Sequence, residues 1–309
     1  MLIKHRGINL FGSANLKIKT MQRKTIEKTI KNKLNEWLET IENKKLRESV
    51  RKNILVSGGS IASMFLNTDI NDYDIYLQNM DVLKELTHYY VGERKGITVL
   101  DGRDRDQIVN DVEGGFQIIV ENLHDDQIKL YFDGYKPGLL VDEEERKDKK
   151  YTPVYFSPNA ISLSDQIQIV IRFNGDNEKI HSTFDFIHAT NYFTFEDGLV
   201  TNIAALESLL SKQLRYQGSL YPLTSIIRMK KFIKRGWNIS AGEMLKIMFQ
   251  ISQLDLTDPN TLEEQLIGVD VAYFSLLVEI IRGVEDKKIT SEYMNTIIDK
   301  VFNETEGES

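Results

Sequence analysis

The 309-residue sequence contains no cysteine. This absence excludes disulfides, zinc sites built on thiolates and cysteine nucleophiles. No apolar run is long enough to cross a membrane. The first twenty residues are mixed and basic, without the hydrophobic core of a secretory signal. We therefore expect a cytoplasmic protein with no membrane partner. Its 41% apolar and 28% charged residues are ordinary for a folded chain.

Acidic residues are scarce in two segments of an otherwise acidic chain. Residues 1–53 hold fourteen Lys or Arg against five Glu, a net charge of +9, so the remainder carries −16 of the total of −7. Residues 219–242 contain no acid and five bases: Arg228, Lys230, Lys231, Lys234 and Arg235. Two interpretations remain open, a locally bound anionic partner or two solvated helix faces.

Hydrophobic periodicity predicts helices and strands in alternation up to about residue 90. A long amphipathic helix is predicted over Thr25–Arg51, followed by a buried strand over Ile54–Ser57. Ser60 is a reasonable N-cap for a helix over Ile61–Leu66. The next predicted elements are the strand Asp72–Leu77 and the helix Met80–Tyr90.

The pattern then predicts strands, followed by helices. The candidate strands are Gly96–Leu100, Phe116–Asn122, Ile128–Phe132, Gln166–Phe173 and Ile180–Tyr192, and "RFNGDNEKI" resembles the hairpin between the last two. From Ile203 the sequence predicts helices near 203–216, 222–235, 240–253, 260–282 and 290–303. A mixed α/β core followed by a helical part is the simplest architecture.

Two carboxylates share one face of the predicted strand "DYDIYL". Because strand side chains alternate between faces, Asp72 and Asp74 lie on the same side, about 7 Å apart along the strand. Such a pair repels unless a cation or a basic group lies between its members. Mg²⁺ prefers hard oxygen ligands and commonly shares its shell with substrate phosphates.

The segment before this strand could receive those phosphates. Gly58 and Gly59 permit close backbone approach, and the N-terminus of the following helix presents unpaired N–H groups to an anion. Ser60 adds a hydroxyl there. A triphosphate could sit between this turn and a metal on Asp72 and Asp74, as phosphoryl transfer requires. The alternative is a tight turn before an ordinary strand.

This "GGS…DYD" unit resembles the active-site signature of nucleotidyltransferases with the DNA polymerase β fold. The resemblance implies a site for two Mg²⁺ ions in which Asp72 and Asp74 bridge both metals and a third carboxylate completes the set. Asp185, in "HSTFDFIHA", is the candidate for that third ligand. The competing interpretation is that Asp185 is an incidental acid in a strand-like run.

A second resemblance is narrower. In "YPLTSIIRMKKFIKRGWNI" the order of Pro-Leu, basic residues and Gly-Trp-Asn-Ile is similar to the start of the helical part of CCA-adding enzymes and bacterial poly(A) polymerases. Arg228 and Lys231 are three residues apart on one helix face and could meet a triphosphate or an RNA backbone. A solvated basic face is the alternative. The family's Gly-Gly-x-Val-Arg-Asp lacks its Arg and Asp here, where Ala62 and Ser63 stand.

The resemblances imply an α+β chain with a polymerase β-like domain. We expect a basic helical segment over 1–52, a catalytic domain with a mixed sheet over 53–200, and an all-helical domain over 201–309. The catalytic domain would carry a β-rich insertion at about 95–165. The whole chain also resembles uncharacterised nucleotidyltransferase-like proteins of tailed phages, for which the compartment is the host cytoplasm.

The function that the resemblances imply is template-independent nucleotidyl transfer from an NTP to an RNA 3′-hydroxyl, with tRNA as a candidate acceptor, and with release of pyrophosphate. Three alternatives stay open. The first is nucleotidylation of a protein or small molecule, or cyclic-oligonucleotide synthesis, at the same site. The second is a non-catalytic descendant of the fold that binds RNA or a partner. The third is a structural or interaction protein whose aspartates are incidental.

Overall fold

The computed structural model describes residues 21–92, 94, 96–102, 109–110, 117–118, 127–132, 138–142, 149–256, 258–265, 292, 295–296 and 299. The helices are α1 Arg23–Glu39, α2 Lys44–Asn53, α3 Gly59–Leu66, α4 Met80–Val91, α5 Asn177–Ser182, α6 Ile203–Ser211, α7 Pro222–Lys234, α8 Ala241–Ile251 and α9 Pro259–Gln265. The strands are β1 Ile54–Ser57, β2 Tyr73–Leu77, β3 Ile97–Asp101, β4 Val109–Asn110, β5 Gln117–Ile118, β6 Ile128–Phe132, β7 Leu139–Leu140, β8 Pro153–Phe156, β9 Ala160–Leu163, β10 Ile167–Asn174, β11 Tyr192–Thr194, β12 Gly198–Val200, β13 Gln213–Leu214 and β14 Asn238–Ile239. No described helix is long and apolar enough to span a bilayer.

A mixed eight-stranded sheet forms the centre of the protein. Its strand order is β12-β11-β1-β2-β10-β9-β8-β7. Among the described strands of this sheet, only the β2–β10 pair is parallel; the other neighbours are antiparallel. Strands β7, β8 and β9, from the predicted insertion, extend this sheet. The mixed sheet with its accompanying helices confirms the predicted α+β class.

Alternation along β2 separates the core from the candidate site. Tyr73, Ile75 and Leu77 are buried in the main core, as the two-residue period predicts. Asp74 and Tyr76 point to the opposite face of the sheet. This face therefore carries the predicted carboxylate.

Helices α1 and α2 complete the main core. The stripe of α1 that includes Ile26, Ile30, Leu34 and Trp37 is fully buried and packs with the sheet residues. Burying each such side chain contributes about 1.5–3 kcal/mol. The sequence predicted a single helix over Thr25–Arg51, and this is wrong in one respect. The structure has two helices there, because α1 ends at Glu39 and the side chain of Asn43 caps the start of α2.

Two local predictions are wrong near the site. Helix α3 begins at Gly59, and Gly58, not Ser60, occupies its N-cap position. The run Ile180–Tyr192 is not a strand. It contains the end of α5, a bend at Asp185 and a short 3₁₀ turn over Ile187–Ala189.

The predicted hairpin before that run is also wrong. Strand β10 ends at Asn174, and the side chain of Asp176 caps α5 by accepting from the backbone N–H of Lys179. A helix cap therefore replaces the turn that "RFNGDNEKI" resembles. The neighbours of β10 in the sheet are β2 and β9, which both precede it in the chain.

The C-terminal part is mainly helical, as predicted. Helices α6 to α9 lie near the expected positions. The predicted helix near 203–216 ends at Ser211, however, and β13 pairs in parallel with β14, a two-stranded element that the all-helical prediction did not include. Most of the predicted helices over 260–282 and 290–303 lies outside the described residues beyond Gln265.

Candidate active site

The turn between β1 and α3 places a glycine against a carboxylate. Gly58 has a φ of +97°, a conformation that L side chains rarely adopt. A Cβ built at this position would lie 2.9 Å from Oδ2 of Asp74. The backbone N–H of Gly58 donates to the carbonyl of Ala189 at 3.1 Å. Glycine is therefore required twice, for the backbone conformation and for the close approach of Asp74.

The N-terminus of α3 is open for an anion. No side chain caps this end of the helix, and a Cβ at Gly59 would meet nothing within 4 Å. The hydroxyl of Ser60 is buried without a hydrogen-bond partner among the described residues. Unpaired N–H groups and the helix dipole together favour a negatively charged group here.

The pKa values of Asp72 and Asp74 are both raised. Burial raises the pKa of Asp74 to about 7, the charge of Asp72 adds to the rise, and Arg228 opposes it. Partial desolvation also raises the pKa of Asp72, which Lys231 opposes. The charged forms of both predicted carboxylates are thus disfavoured, and a bound cation would stabilise them.

Asp185 lies in a different electrostatic setting. Its side chain is almost fully buried, Oδ1 accepts from the backbone N–H of Phe186 at 3.0 Å, and Oδ2 accepts from Nη1 of Arg228 at 3.1 Å. Its carbonyl accepts from the N–H of Gln217 at 3.0 Å. The carboxylate is therefore held by the backbone on one side and by helix α7 on the other.

The basic face of α7 meets the acidic edge of β2. Arg228 bonds Asp185 and is close enough to Asp74 to lower its pKa. Lys231, one turn later and exposed, is close enough to Asp72 to do the same. The structure therefore brings the two predicted basic residues near the two predicted carboxylates, with Gly58 of the α3 turn beside Asp74.

Asp72 and Asp74 suit a hard divalent cation by their oxygen ligands and mutual repulsion. Within the described ranges, no group of three or more His, Cys, Asp or Glu side chains is arranged to hold a metal ion. The role of Asp185 as a third ligand, and the binding of two Mg²⁺ ions, remain predictions. A bound Mg²⁺ would supply charge neutralisation for phosphoryl transfer.

The strand neighbours of Asp74 are polar and were not predicted as site residues. In register, Ser57 of β1 and Gln168 of β10 stand directly beside it. Gln168 also pairs with Ser162 of β9, and its Nε2 donates to the Ser162 hydroxyl at 3.4 Å. The alternation in "QIQIVIRF" places Gln168 on the face of the strand that does not carry the buried isoleucines. Only the tertiary fold brings it beside Asp74.

A buried histidine anchors α7 beneath the site. The ring of His188 lies 4.6 Å from those of both Phe232 and Trp237, measured between centroids. Burial lowers its pKa to about 4, although Asp185 opposes this. His188 is therefore neutral at pH 7 and packs as an apolar ring. It connects the loop that carries Asp185 to the helix that carries Arg228.

Solved structures of CCA-adding enzymes are among the proteins similar to this chain. The Thermotoga maritima enzyme complexed with tRNA is 13% identical, with a TM-score of 0.36 over 89% of this chain and 60% of that one. A CCA-adding enzyme complexed with ATP is 13% identical, with a TM-score of 0.39 over 91% and 60%. The Bacillus stearothermophilus enzyme with CTP is 10% identical, with a TM-score of 0.38 over 81% and 51%. Scores of this size do not by themselves establish a shared fold or activity.

A relative and a family model match the sequence directly. Gabija anti-defense 2 of Bacillus phage SPbetaL7 is 21% identical over 288 residues, which cover 89% of this chain and 58% of that protein. The chain thus spans less than two thirds of that relative's length. The model described as Gabija anti-defense 2 family protein matches residues 28–212. Because this match spans more than half of the sequence, the chain belongs to the Gabija anti-defense 2 family.

Proposed function

We propose that this protein binds a nucleoside triphosphate at the N-terminus of α3 and transfers its nucleotidyl group to an RNA hydroxyl. One observation carries the proposal. The carboxylate of Asp74 lies against Gly58 at the open end of α3 and shares its surroundings with Asp72, Arg228 and Lys231. A helix N-terminus, two acids suited to a cation and two bases supply what a metal-bound triphosphate needs.

The reaction forms one P–O bond and breaks another. A hydroxyl oxygen of the acceptor attacks the α-phosphorus of the triphosphate, the bond from that phosphorus to the bridging oxygen breaks, and pyrophosphate leaves. The proton of the hydroxyl passes to solvent. Arg228 and Lys231 neutralise developing charge on the phosphates, and the α3 backbone orients them.

The basic surface supports RNA as the acceptor. Lys231, Lys234 and Arg235 are exposed at the end of α7. Lys231 is also close enough to Asp72 to lower the pKa of that acid. Positive charge therefore continues from the catalytic edge along the helix, a track suited to a phosphate backbone.

Family membership supports a biological role for this reaction. By its name, the relative from phage SPbetaL7 counters the Gabija defence. We extend that role to this protein, as a phage-encoded factor acting in the host cytoplasm. The same observation favours a second candidate, in which the acceptor is a protein of the Gabija system.

The test uses purified protein, Mg²⁺ and each α-labelled NTP, with total RNA or with purified Gabija proteins as acceptor. Label in RNA supports the first candidate, and label in a Gabija protein supports the second. We expect Asp74→Asn to abolish transfer. Asp69→Asn is the matched control, because Asp69 is an exposed acid in the turn that leads into β2.

Absence of label from every acceptor, with the triphosphate still bound, would overturn the transfer reaction and leave a binding protein. In that case RNA or partner affinity would be unaffected by Asp74→Asn. Equal transfer by wild type and Asp74→Asn would overturn the assignment of the site.

A further inference from the structure

The geometry points to a single-cation site in which Arg228, positioned by Asp185, takes the place of a second metal ion. In this arrangement Asp72 and Asp74 hold the one divalent cation. Asp185 is a positioning residue for the guanidinium and not a metal ligand. The inference rests on the proposed function and specifies how that site holds its triphosphate.

The bonds of Asp185 carry the first step. Each of its oxygens accepts one hydrogen bond, Oδ1 from the backbone N–H of Phe186 and Oδ2 from Arg228 at 3.1 Å. The side chain is almost fully buried. A divalent cation at this carboxylate would stand beside the guanidinium that Asp185 already binds, and the repulsion between these two positive charges grows as the surroundings exclude water.

The register around Asp74 carries the second step. Across the antiparallel β1–β2 pair, side chains directly opposite each other have Cβ atoms about 4.5–5.5 Å apart. The positions beside Asp74 are Ser57 and Gln168. Both side chains are neutral, and Gln168 donates to Ser162. Neither strand that pairs with β2 therefore offers Asp74 a carboxylate in register with which to share a second divalent ion.

The position of Arg228 carries the third step. The guanidinium donates to Asp185 through Nη1, and its charge also acts on Asp74, so one positive charge serves both acids. Its side chain is 43% exposed. A guanidinium has five N–H donors in a planar fork, and the bond to Asp185 uses one. The remaining donors suit phosphate oxygens.

The packing of α7 holds this charge in place. Phe232, one turn after Arg228, packs against His188 and Trp237. Phe186, the residue after Asp185, lies in the same buried cluster and also packs against Phe232, so the loop that carries the acid is held against α7. Such a preorganised cation needs little rearrangement when a triphosphate arrives.

The experiment measures Mn²⁺ and nucleotide binding, with no turnover required. Free Mn²⁺ is followed by electron paramagnetic resonance during titration of wild-type protein with an α,β-methylene triphosphate present. Affinity for the analogue is measured by calorimetry at fixed Mn²⁺. We expect one Mn²⁺ per chain, and loss of its binding in Asp72→Asn and Asp74→Asn.

Asp185→Asn separates the two roles of this acid. A positioning role predicts Mn²⁺ affinity within about twofold of wild type and analogue affinity lower by about tenfold, the size expected for a charge-assisted hydrogen bond. Arg228→Ala should lower analogue affinity at least as much. Adding Asp185→Asn to Arg228→Ala should have little further effect, because both changes remove one interaction.

The possible results test the single-cation site separately from the proposed nucleotidyl transfer. Two Mn²⁺ per chain, with one lost in Asp185→Asn, would overturn the inference and leave nucleotidyl transfer standing. No binding of the analogue to wild-type protein would overturn the proposed function itself. Circular dichroism shows whether each variant is folded, and Arg228→Lys, which retains the charge without the fork, gives a second variant. We expect Arg228→Lys to bind the analogue with intermediate affinity.

Discussion

Gly58, in the turn after β1, and Asp74, on β2, lie so close together that the carboxylate leaves no room for a side chain at position 58. A Cβ at Gly58 would lie 2.9 Å from Oδ2 of Asp74. The acid is thereby held at the open end of α3, where an anionic ligand is favoured by the helix and disfavoured by the carboxylate. A cation between the ligand and the acid resolves this conflict.

Gly58→Ala is expected to destabilise the protein and to weaken nucleotide binding. The methyl group would sit at a φ of +97° and push Asp74 from its place, at a cost of about 1–3 kcal/mol. The melting temperature and analogue affinity should both fall. Gly59→Ala is the matched control for stability, since a Cβ there meets nothing within 4 Å. Equal melting temperatures for the two variants would contradict this account.

Asp74→Asn is expected to stabilise the protein at neutral and alkaline pH. The folded state raises the pKa of this acid from 3.8 to about 7. Between those values the folded state holds a proton that the unfolded state has lost. The stability of the wild type therefore falls as pH rises from about 4 and stops falling above about 7.

The asparagine variant has no such group to charge. Its advantage over wild type should be absent near pH 4 and reach about 1–2 kcal/mol at pH 8, well below the full linkage value because the acid keeps some contact with solvent. Urea unfolding at several pH values measures this difference. Asp69→Asn should show no comparable trend. If the free energy of unfolding of the wild type instead increased relative to that of Asp74→Asn as pH rises, ionisation of Asp74 would not destabilise the folded state, and this account would be wrong.

His188→Phe is expected to make the protein less sensitive to acid. Burial lowers the pKa of His188 from 6.5 to about 4. The stability that it contributes as a neutral ring is present above pH 6.5 and lost as pH falls toward 4. Because the ring packs between aromatic side chains, phenylalanine should be tolerated at pH 7.5 within about 1 kcal/mol.

Melting temperatures between pH 7.5 and 4.5 measure the effect, and His88→Asn is the control because His88 is exposed on α4. The pH dependence of His188→Phe should be shallower than that of wild type and of His88→Asn. Parallel curves for all three proteins would mean that His188 does not resist protonation in the folded state.

Local sequence signals predicted the elements around the site well. The alternation in β2 placed Asp74 opposite the core, and the glycine pair predicted the turn before α3. The region around Asp185 was predicted wrongly, because its alternating apolar residues resemble a strand. The stronger signal was Asp176, which caps α5 with a bond to the backbone of Lys179.

Spacing and periodicity alone could not predict the contacts between residues that are distant in the sequence. Arg228 and Asp185 are 43 positions apart and meet only because α7 packs on the loop that carries Asp185. Likewise, the parallel pairing of β10 with β2 brings Gln168 beside Asp74 from a strand far along the chain. Such proximity depends on the folded chain, which no spacing or periodicity encodes.

Charge reversal at the end of α7 is expected to weaken RNA binding and to leave the triphosphate site intact. Lys234 and Arg235 are exposed beyond the residues that meet the carboxylates. For Lys234→Glu/Arg235→Glu, the slope of log affinity against log salt should become shallower by about one for each RNA phosphate that the variant no longer neutralises. Analogue affinity should remain within about twofold of wild type, because solvent and salt screen the influence of such exposed charges on the triphosphate. Lys44→Glu/Lys45→Glu makes the same change in net charge on α2. An equal decrease of RNA affinity in both variants would contradict a specific role for the end of α7, because Lys44 and Lys45 belong to the other basic segment of the chain.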